Sequence, residues 1–183
     1  MEIVKNFTSS KLIKKIFIAL LGTVFLAISS KIKIPFYPVP MTMQTLMVLV
    51  IGIGFGWKLG LATITLYLFE GIIGLPVFSG TPEKGIGVIY FTGPTMGYLI
   101  GFLVAVFLSG FFNYGKNLFI IFIKLSFATS FIYIFGMIWL GSLIGWEKPI
   151  FKLGAQPFLL AELFKILIVT FTLSQIKKIR KII

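Results

Sequence analysis

Long apolar runs, separated by short stretches rich in Pro, Gly and Lys, make up almost the whole chain. Two of these runs, residues 85–115 and residues 125–146, contain no charged side chain. Each is longer than the ~18 apolar residues that indicate a membrane-spanning helix. Across the chain the pattern predicts six such helices, over residues 12–30, 41–56, 58–74, 94–113, 118–144 and 157–176. We therefore expect an all-α integral membrane protein in which residues 1–183 form a single membrane domain.

The composition agrees with a membrane protein and argues against a nucleic-acid-binding one. Hydrophobic residues account for 58% of the chain and charged residues for 12%, whereas about 25% of the residues in a soluble domain are charged. The net charge of +12 would favour nucleic acid only with a basic, water-exposed face, and no predicted loop is long enough to form one. The expected surroundings are a lipid bilayer, with no nucleic-acid partner.

The distribution of Lys and Arg predicts the orientation of the helices. An even number of spans places both termini on one side, where the flanking basic residues are Lys5, Lys11, Lys14, Lys15, Lys58, Lys116, Lys177, Lys178, Arg180 and Lys181. The other side carries fewer, namely Lys31, Lys33, Lys84, Lys148 and Lys152. Because basic residues concentrate at cytoplasmic ends, both termini are expected in the cytoplasm of a multi-pass cell-membrane protein. A cleaved signal peptide is disfavoured, since no small-residue cleavage site follows the first run.

The predicted loops differ in length between the two sides. Residues 56–58 and 113–117 form tight inner turns, whereas residues 31–40, 75–93 and 145–156 form long outer segments. Function is therefore expected on the outer face. The middle outer loop combines Pro and Gly with apolar residues, which is typical of a lid that folds back over a site; an inert connection is the alternative.

The residue inventory disfavours catalysis. The chain has no Cys, no His and no Asp, which removes disulfides, the common zinc sites, thiol nucleophiles and Ser-His-Asp triads. A Walker-type phosphate-binding loop is also missing from the sequence, so the chain is not expected to hydrolyse ATP itself. We expect no enzyme, no cofactor and no metal; a small membrane enzyme is the alternative that this inventory disfavours.

Glu162 and Lys165 are the strongest polar feature of the apolar runs. Their i, i+3 spacing places them on one face of a helix, where they can reach each other. Lys165 lies eight residues beyond Pro157, roughly 12 Å into a hydrocarbon core about 30 Å thick, where a charge costs at least ~2.5 kcal/mol. A ligand site is the functional interpretation. The alternatives are mutual neutralisation inside the bundle or a Lys165 side chain that extends to the membrane surface.

Three segments resemble signatures of the BioY family of biotin transporter subunits. Residues 33–45 are similar to the P-x-x-P-V-P-x-T-x-Q-T segment that opens the family's second helix. Residues 66–78 resemble its third helix and the following loop, and residues 93–102 resemble the start of its fourth helix. One position departs from the family pattern, because Glu162 stands where an Asp is common, three residues before Lys165.

The resemblance implies a function and a set of site residues. The implied protein is the substrate-binding subunit, or S component, of an energy-coupling factor (ECF) importer, which captures biotin and works with a membrane-embedded coupling subunit and two ATPase subunits. Biotin has a carboxylate and a ureido group with two N–H donors, which calls for a cation and a strong acceptor. The candidate binding residues are Glu162, Lys165, Gln44, Thr42, Thr45, Phe78, Ser79 and Tyr98.

Several of these assignments have structural alternatives. Thr42 and Thr45 can instead cap a helix after Pro40, and the aromatic residues can belong to a membrane-interface belt. Ala19, Thr23 and Ala27 repeat small side chains every four residues, which permits close helix packing inside the bundle; the resemblance implies that they dock on the coupling subunit. An S component for a different vitamin and a non-catalytic structural subunit are the alternative functions.

Overall fold

The chain folds into a bundle of long helices. The structure, a computed structural model, describes the backbone of residues 2–35 and 37–183 and the side chains of residues 11–35 and 37–183; Phe36 and the side chain of Lys5 lie outside this set. The helices are α1 (Glu2–Lys31), α2 (Gln44–Ile72), α3 (Met96–Phe111), α4 (Leu118–Ile144), α5 (Ile150–Gly154) and α6 (Leu159–Ile182). Two short strands, β1 (Lys33–Ile34) and β2 (Met41–Thr42), pair antiparallel between α1 and α2.

Within the described chain, four segments have the length and apolar composition of membrane spans: Lys11–Lys31, Gln44–Ile72, Leu118–Ile144 and Ile150–Ile182. The apolar helix α3 is shorter, at 16 residues. Large apolar side chains point outward from the bundle; Phe17 is 67% exposed, Phe119 is 71% exposed and Phe171 is 64% exposed. A surface of this kind is stable only in lipid. The protein is therefore a membrane protein.

Gly56 divides α2 into two segments that lie side by side. Its φ of 77° and ψ of 165° interrupt the helix, and a positive φ of this size favours glycine. A Cβ on Gly60 would lie 3.5 Å from the Cα of Gly52, whereas eight residues of a straight helix span about 12 Å. The chain therefore reverses near Gly56, close to the predicted turn at residues 56–58. This reversal separates residues 44–55 from residues 57–72.

Other helix boundaries differ from the sequence prediction. A 3₁₀ turn at Gly87–Thr92 occupies the first part of the uncharged run 85–115, and α3 begins only at Met96. The last helix continues to Ile182, beyond the predicted end at residue 176. Apolar composition alone does not show where an uncharged run is loop and where it is helix.

Glycines set the distance between α3 and its neighbours. A Cβ on Gly101 would lie 2.5 Å from the Cα of Ile132 in α4 and 3.0 Å from the carbonyl oxygen of Phe131. A Cβ on Gly110 would lie 2.5 Å from the backbone nitrogen of Trp57 in α2. Small residues of this kind permit close backbone approach in membrane bundles. Because the obstacles are backbone atoms, a larger residue can fit only if a helix moves.

We expect Gly101→Ala to destabilise the protein by about 1–3 kcal/mol, the usual range for overpacking. Thermal unfolding in detergent measures the effect. Gly115→Ala is the matched control, because a Cβ at Gly115 meets nothing within 4 Å. Equal melting temperatures for the two variants would contradict the close contact between α3 and α4.

Most of the long connecting segments gather at one end of the bundle, called the loop end below. This end comprises residues 32–43, residues 73–95 and residues 145–158. The segment after α2 turns at four glycines with positive φ, Gly74, Gly80, Gly85 and Gly87. The fold buries Phe78, which is 1% exposed, and Tyr90, which is 4% exposed, against the helices. The segment is therefore packed onto the bundle.

Candidate functional site

A small cavity lies at the loop end, enclosed by α2, α3, α4, α6 and the segment after α2. Its volume is about 50 Å³, room for only a few water-sized groups. All eight side chains predicted from the sequence line it: Thr42, Gln44, Thr45, Phe78, Ser79, Tyr98, Glu162 and Lys165. The walls are otherwise mainly apolar, and four aromatic side chains absent from the predicted set complete them, namely Tyr90, Phe102, Tyr133 and Phe158. Polar groups thus converge on a buried apolar pocket, as in small-molecule sites.

The Glu162 carboxylate and the Lys165 ammonium form a buried ion pair. Lys165 Nζ donates to Glu162 Oε1 at 2.7 Å, to the Thr42 carbonyl oxygen at 2.6 Å and to Thr45 Oγ1 at 3.0 Å. Each of the paired residues is only 5% exposed, so the alternative in which Lys165 extends to the membrane surface is wrong. An ammonium group has three donors, and all three of them are used within the protein.

Two buried polar atoms that line the cavity have no hydrogen-bond partner among the described residues. They are Glu162 Oε2 and Ser79 Oγ. The Tyr133 hydroxyl approaches the Glu162 carboxylate and interacts with it electrostatically and as a weak hydrogen-bond donor, but outside ordinary hydrogen-bond geometry. Leaving such a group unpaired costs about 1–3 kcal/mol, and exceptions in native proteins call for an explanation. A ligand with N–H donors supplies one, because it can donate to Oε2.

Gln44 connects the cavity to the segment after α2. Its Nε2 donates to the Tyr67 hydroxyl at 2.8 Å, and this hydroxyl donates to the Val77 carbonyl oxygen at 2.8 Å. Tyr67 is fully buried. Thr42 Oγ1 accepts from the Gln44 backbone N–H at 3.3 Å and donates to Gln44 Oε1 at 3.2 Å. Thr42 therefore supports the start of α2 and also orients the Gln44 side chain.

Residues 77–81 form an irregular turn segment, not a β-strand. This segment, called the lid strand below, is held by the end of α1. Lys31 Nζ donates to the Phe78 carbonyl oxygen at 2.9 Å, to the Thr81 carbonyl oxygen at 3.1 Å and to Thr81 Oγ1 at 3.0 Å. Ser30 Oγ donates to the Val77 carbonyl oxygen at 2.8 Å. These bonds give several backbone carbonyls of the lid strand a partner and stabilise its closed position over the cavity.

The aromatic ring of Tyr90 covers the lid strand from the opposite side. Its hydroxyl donates to the Ser79 carbonyl oxygen at 2.8 Å, and its ring stacks on Phe78 with centroids 4.7 Å apart. Burial raises the pKa of the Tyr90 phenol above its ordinary value, although a hydrogen bond with Thr95 opposes this shift. The phenol therefore remains a neutral donor at physiological pH.

The sequence model of the BioY family matches residues 4–182. The chain belongs to the BioY family. It is 32% identical over 157 residues to a probable biotin transporter BioY of Pyrococcus horikoshii, with 83% of this chain and 89% of that protein covered. It is 34% identical over 161 residues to the biotin transporter BioY2 of Lactococcus lactis subsp. cremoris, with 82% of each covered. A crystal structure of the S-component for biotin from an ECF-type ABC transporter superposes with a TM-score of 0.76 at 26% identity, covering 92% of this chain and 93% of that chain.

In this BioY family member a second, wider space lies beside the cavity. Its volume is about 310 Å³. Tyr37 and Lys84 line it on one side, and Tyr90 and Thr95 line both this space and the cavity. Tyr90 and Thr95 thus form the wall between the two. The arrangement has the form of a vestibule that leads to a closed site.

The small-residue stripe of α1 lies mostly inside this BioY bundle. Ala19 is 6% exposed and Thr23 is 2% exposed, whereas Ala27 is half-buried. Thr23 Oγ1 donates to Glu70 Oε1 of α2 at 2.8 Å. Thr23 is therefore tied to the chain's own α2, whereas Ala19 borders an open groove, and docking of the stripe on a coupling subunit stays a prediction. Spacing every four residues identifies a helix face but not the element that covers it.

The described residues contain no group of three or more His, Cys, Asp or Glu side chains that could hold a metal ion.

Sequence reasoning did not place Lys31, Tyr67 and Tyr133 in the site of this BioY family member. The sequence assigned Lys31 only to an outer helix end. The position of Tyr67 within an apolar run could have predicted a hydrogen-bonded hydroxyl, because a buried phenol usually has a hydrogen-bond partner.

Proposed function

We propose that this protein is the substrate-binding S component of an ECF-type importer and that it binds biotin in the cavity at the loop end. Family membership and the names of its relatives support a biotin transporter. The similarity to a solved S-component for biotin supports the same conclusion. The observation that carries the binding site is the buried cluster of Glu162, Lys165 and Thr45, in which Glu162 Oε2 has no hydrogen-bond partner among the described residues.

The proposed topology has six membrane-spanning segments. The two segments of α2, residues 44–55 and 57–72, count separately because the chain reverses at Gly56, and α1, α3, α4 and α6 supply the others. Both termini then lie on one side, where the excess of Lys and Arg favours the cytoplasm. The loop end faces outward from the cell membrane, which is where a vitamin has to be captured.

The cavity chemistry complements the two ends of biotin. Glu162 Oε2 accepts from a ureido N–H group, and the Ser79 hydroxyl, which can donate or accept, pairs with the ureido group or the carboxylate. Lys165 neutralises Glu162 and supplies the positive charge that favours a carboxylate nearby. For Lys165 to bond the biotin carboxylate directly, it exchanges one of its present partners. The Thr42 carbonyl oxygen and the Thr45 hydroxyl are the two uncharged partners that a carboxylate can replace. Apolar walls formed by Phe78, Tyr98 and Phe158 receive the fused rings.

Because the cavity is smaller than the ~300–1,000 Å³ of typical ligand sites, biotin entry requires the lid strand to open. The vestibule receives biotin first, and movement of Phe78 and Tyr90 then admits it to the cavity. Biotin contacts only the closed form fully, so binding shifts the population toward closure. Gln44 links the two events, because it lines the cavity and holds Val77 through Tyr67.

We expect Lys31→Met to speed hydrogen exchange of the lid strand about ten-fold or more, since hydrogen bonds from a charged donor contribute about 1.5–3 kcal/mol each. Lys33→Met is the matched control, because Lys33 is an exposed lysine only two residues away, whereas the bonds to Phe78 and Thr81 come from Lys31. Saturating biotin is expected to slow exchange across residues 79–91. Two results would contradict a closing lid. One is an unchanged exchange rate in Lys31→Met, and the other is an exchange rate across residues 79–91 that biotin does not slow.

An equilibrium titration of the detergent-solubilised protein tests the proposed function. Biotin should bind and riboflavin should not. Binding of riboflavin alone would favour an S component for a different vitamin. Binding of neither ligand would favour a structural subunit. Transport itself requires the coupling subunit and the two ATPase subunits of an ECF-type importer. In the α1 stripe, Ala27 is half-buried and remains available for docking on the coupling subunit.

A further inference from the structure

A large groove opens at the end of the bundle opposite the loop end. Its volume is about 710 Å³, and it lies between α1, residues 55–66 of α2 and the last turn of α6. Apolar side chains such as Leu12, Ile16 and Leu59 form its walls, and three cations, Lys15, Lys58 and Arg180, line it. The groove is far from the cavity, because Arg180 lies 18 residues after Glu162 on the same helix, about 27 Å along its axis.

The groove gathers positive charge at a fixed place. A Cβ on Gly56 would lie 3.0–3.1 Å from three guanidinium atoms of Arg180, so the guanidinium rests against the chain reversal in α2. Lys58 Nζ lies 5.2 Å from the ring centroid of Trp57, which also lines the groove. Lys15, Lys58 and Arg180 are all exposed. Their charges are therefore available to an anion.

The described side chains provide no carboxylate to balance these charges. Their acidic members are Glu70, Glu83, Glu147 and Glu162. Glu83 and Glu147 lie in segments of the loop end, and Glu162 pairs with Lys165. Glu70 follows Gly56 by 14 residues along α2, about 20 Å away, and accepts from Thr23. The terminal carboxylate of Ile183, which also lines the groove, can neutralise only one of the three cations, so an external anion can balance the charge that is left.

We propose that this groove binds an anionic phospholipid. A phosphate group fits between Lys15, Lys58 and Arg180, as basic pockets between transmembrane helices bind acidic headgroups. The apolar walls continue into the membrane and receive an acyl chain, which a free phosphate ion lacks. The combination of a charged mouth and apolar walls therefore favours a lipid over a soluble anion. The site is separate from the vitamin cavity, but Ala19 of the α1 stripe also lines it, so lipid and the coupling subunit would compete for this part of α1.

Trp57 provides a direct probe of lipid in the groove. The chain has three tryptophans, and replacing Trp139 and Trp146 by Phe leaves Trp57 as the only one. The protein is placed in phosphatidylcholine vesicles in which a fixed fraction of lipid, either phosphatidylglycerol or phosphatidylcholine, carries brominated acyl chains. We expect brominated phosphatidylglycerol to quench Trp57 with an apparent affinity at least about five-fold higher, the contribution of roughly one cation near an anionic headgroup.

Two sets of substitutions test the role of the groove cations. The set Lys15→Gln, Lys58→Gln and Arg180→Gln should abolish the preference for phosphatidylglycerol. The control set Lys116→Gln, Lys178→Gln and Lys181→Gln removes the same charge outside the groove and should retain it. Arg180→Gln alone, expected to reduce the preference, serves if the first set does not fold. Equal quenching by the two brominated lipids would overturn the proposal. An equal loss of the preference for phosphatidylglycerol in both sets of variants would overturn it as well. Displacement by millimolar glycerol 3-phosphate would identify a soluble-phosphate site instead and would also overturn it.

Discussion

Replacing Lys165 by alanine is expected to weaken biotin binding at least ten-fold, which corresponds to ~1.4 kcal/mol. Lys165 holds Glu162 Oε1, Thr45 Oγ1 and the Thr42 carbonyl oxygen together. Removing Lys165 takes away the positive charge near the biotin carboxylate. It also frees the Glu162 carboxylate, which we propose accepts a hydrogen bond from the ureido group of biotin. Isothermal titration of the purified variant with biotin measures the loss.

The matched control is Lys152→Ala, which removes an exposed lysine of the loop end that does not line the cavity. It should leave biotin affinity unchanged. Titration with biotin amide separates two roles of Lys165. If Lys165 contacts the biotin carboxylate, the parent protein binds the amide more weakly than the acid, and Lys165→Ala removes that difference. Equal biotin affinity in Lys165→Ala and in the parent protein would contradict the assignment of Lys165 to the binding site.

Replacing Glu162 by alanine is expected to reduce stability by about 3–5 kcal/mol, because it leaves the Lys165 ammonium buried without a counter-ion. Each residue of the pair is 5% exposed, so water cannot easily solvate the remaining charge. Thermal unfolding in detergent without biotin measures this effect. The variant should melt well below the parent.

The double variant Glu162→Gln with Lys165→Met is the control for this prediction. Both charges disappear together, and replacing a buried ion pair by neutral groups of similar volume is often close to neutral for stability. We expect the double variant to recover most of the stability and to bind biotin no better than Lys165→Ala. A double variant as unstable as Glu162→Ala would show that packing, rather than the unpaired charge, explains the loss.

The ion pair could be predicted from the sequence because it depends on local geometry alone. Glu162 and Lys165 are three residues apart on a helix, and their side chains necessarily share a face. The chain reversal at Gly56 could also be predicted from the sequence, since a glycine between two apolar runs is a common turn position. The convergence of residues 42–45 with α6 was expected only through the family resemblance, because no local pattern brings segments about 120 residues apart together.

The contacts of the lid strand could not be predicted in the same way. Lys31 and Phe78 are 47 residues apart, and their hydrogen bond depends on the register between α1 and a loop without periodic pattern. The same limitation applies to Thr23, whose partner Glu70 is also 47 residues away. A side chain every four residues defines a helix face. Only the packing of α1 on α2 shows that this face is covered.

The most direct test of the proposed site is an experimental structure of the protein with bound biotin. We expect biotin to lie between the lid strand and α6, with a ureido nitrogen at hydrogen-bond distance, about 2.7–3.2 Å, from Glu162 Oε2. Ser79 Oγ should bond the ligand, and the lid strand should be closed. Biotin bound only in the vestibule, or a biotin complex in which Glu162 Oε2 still has no partner, would contradict the account.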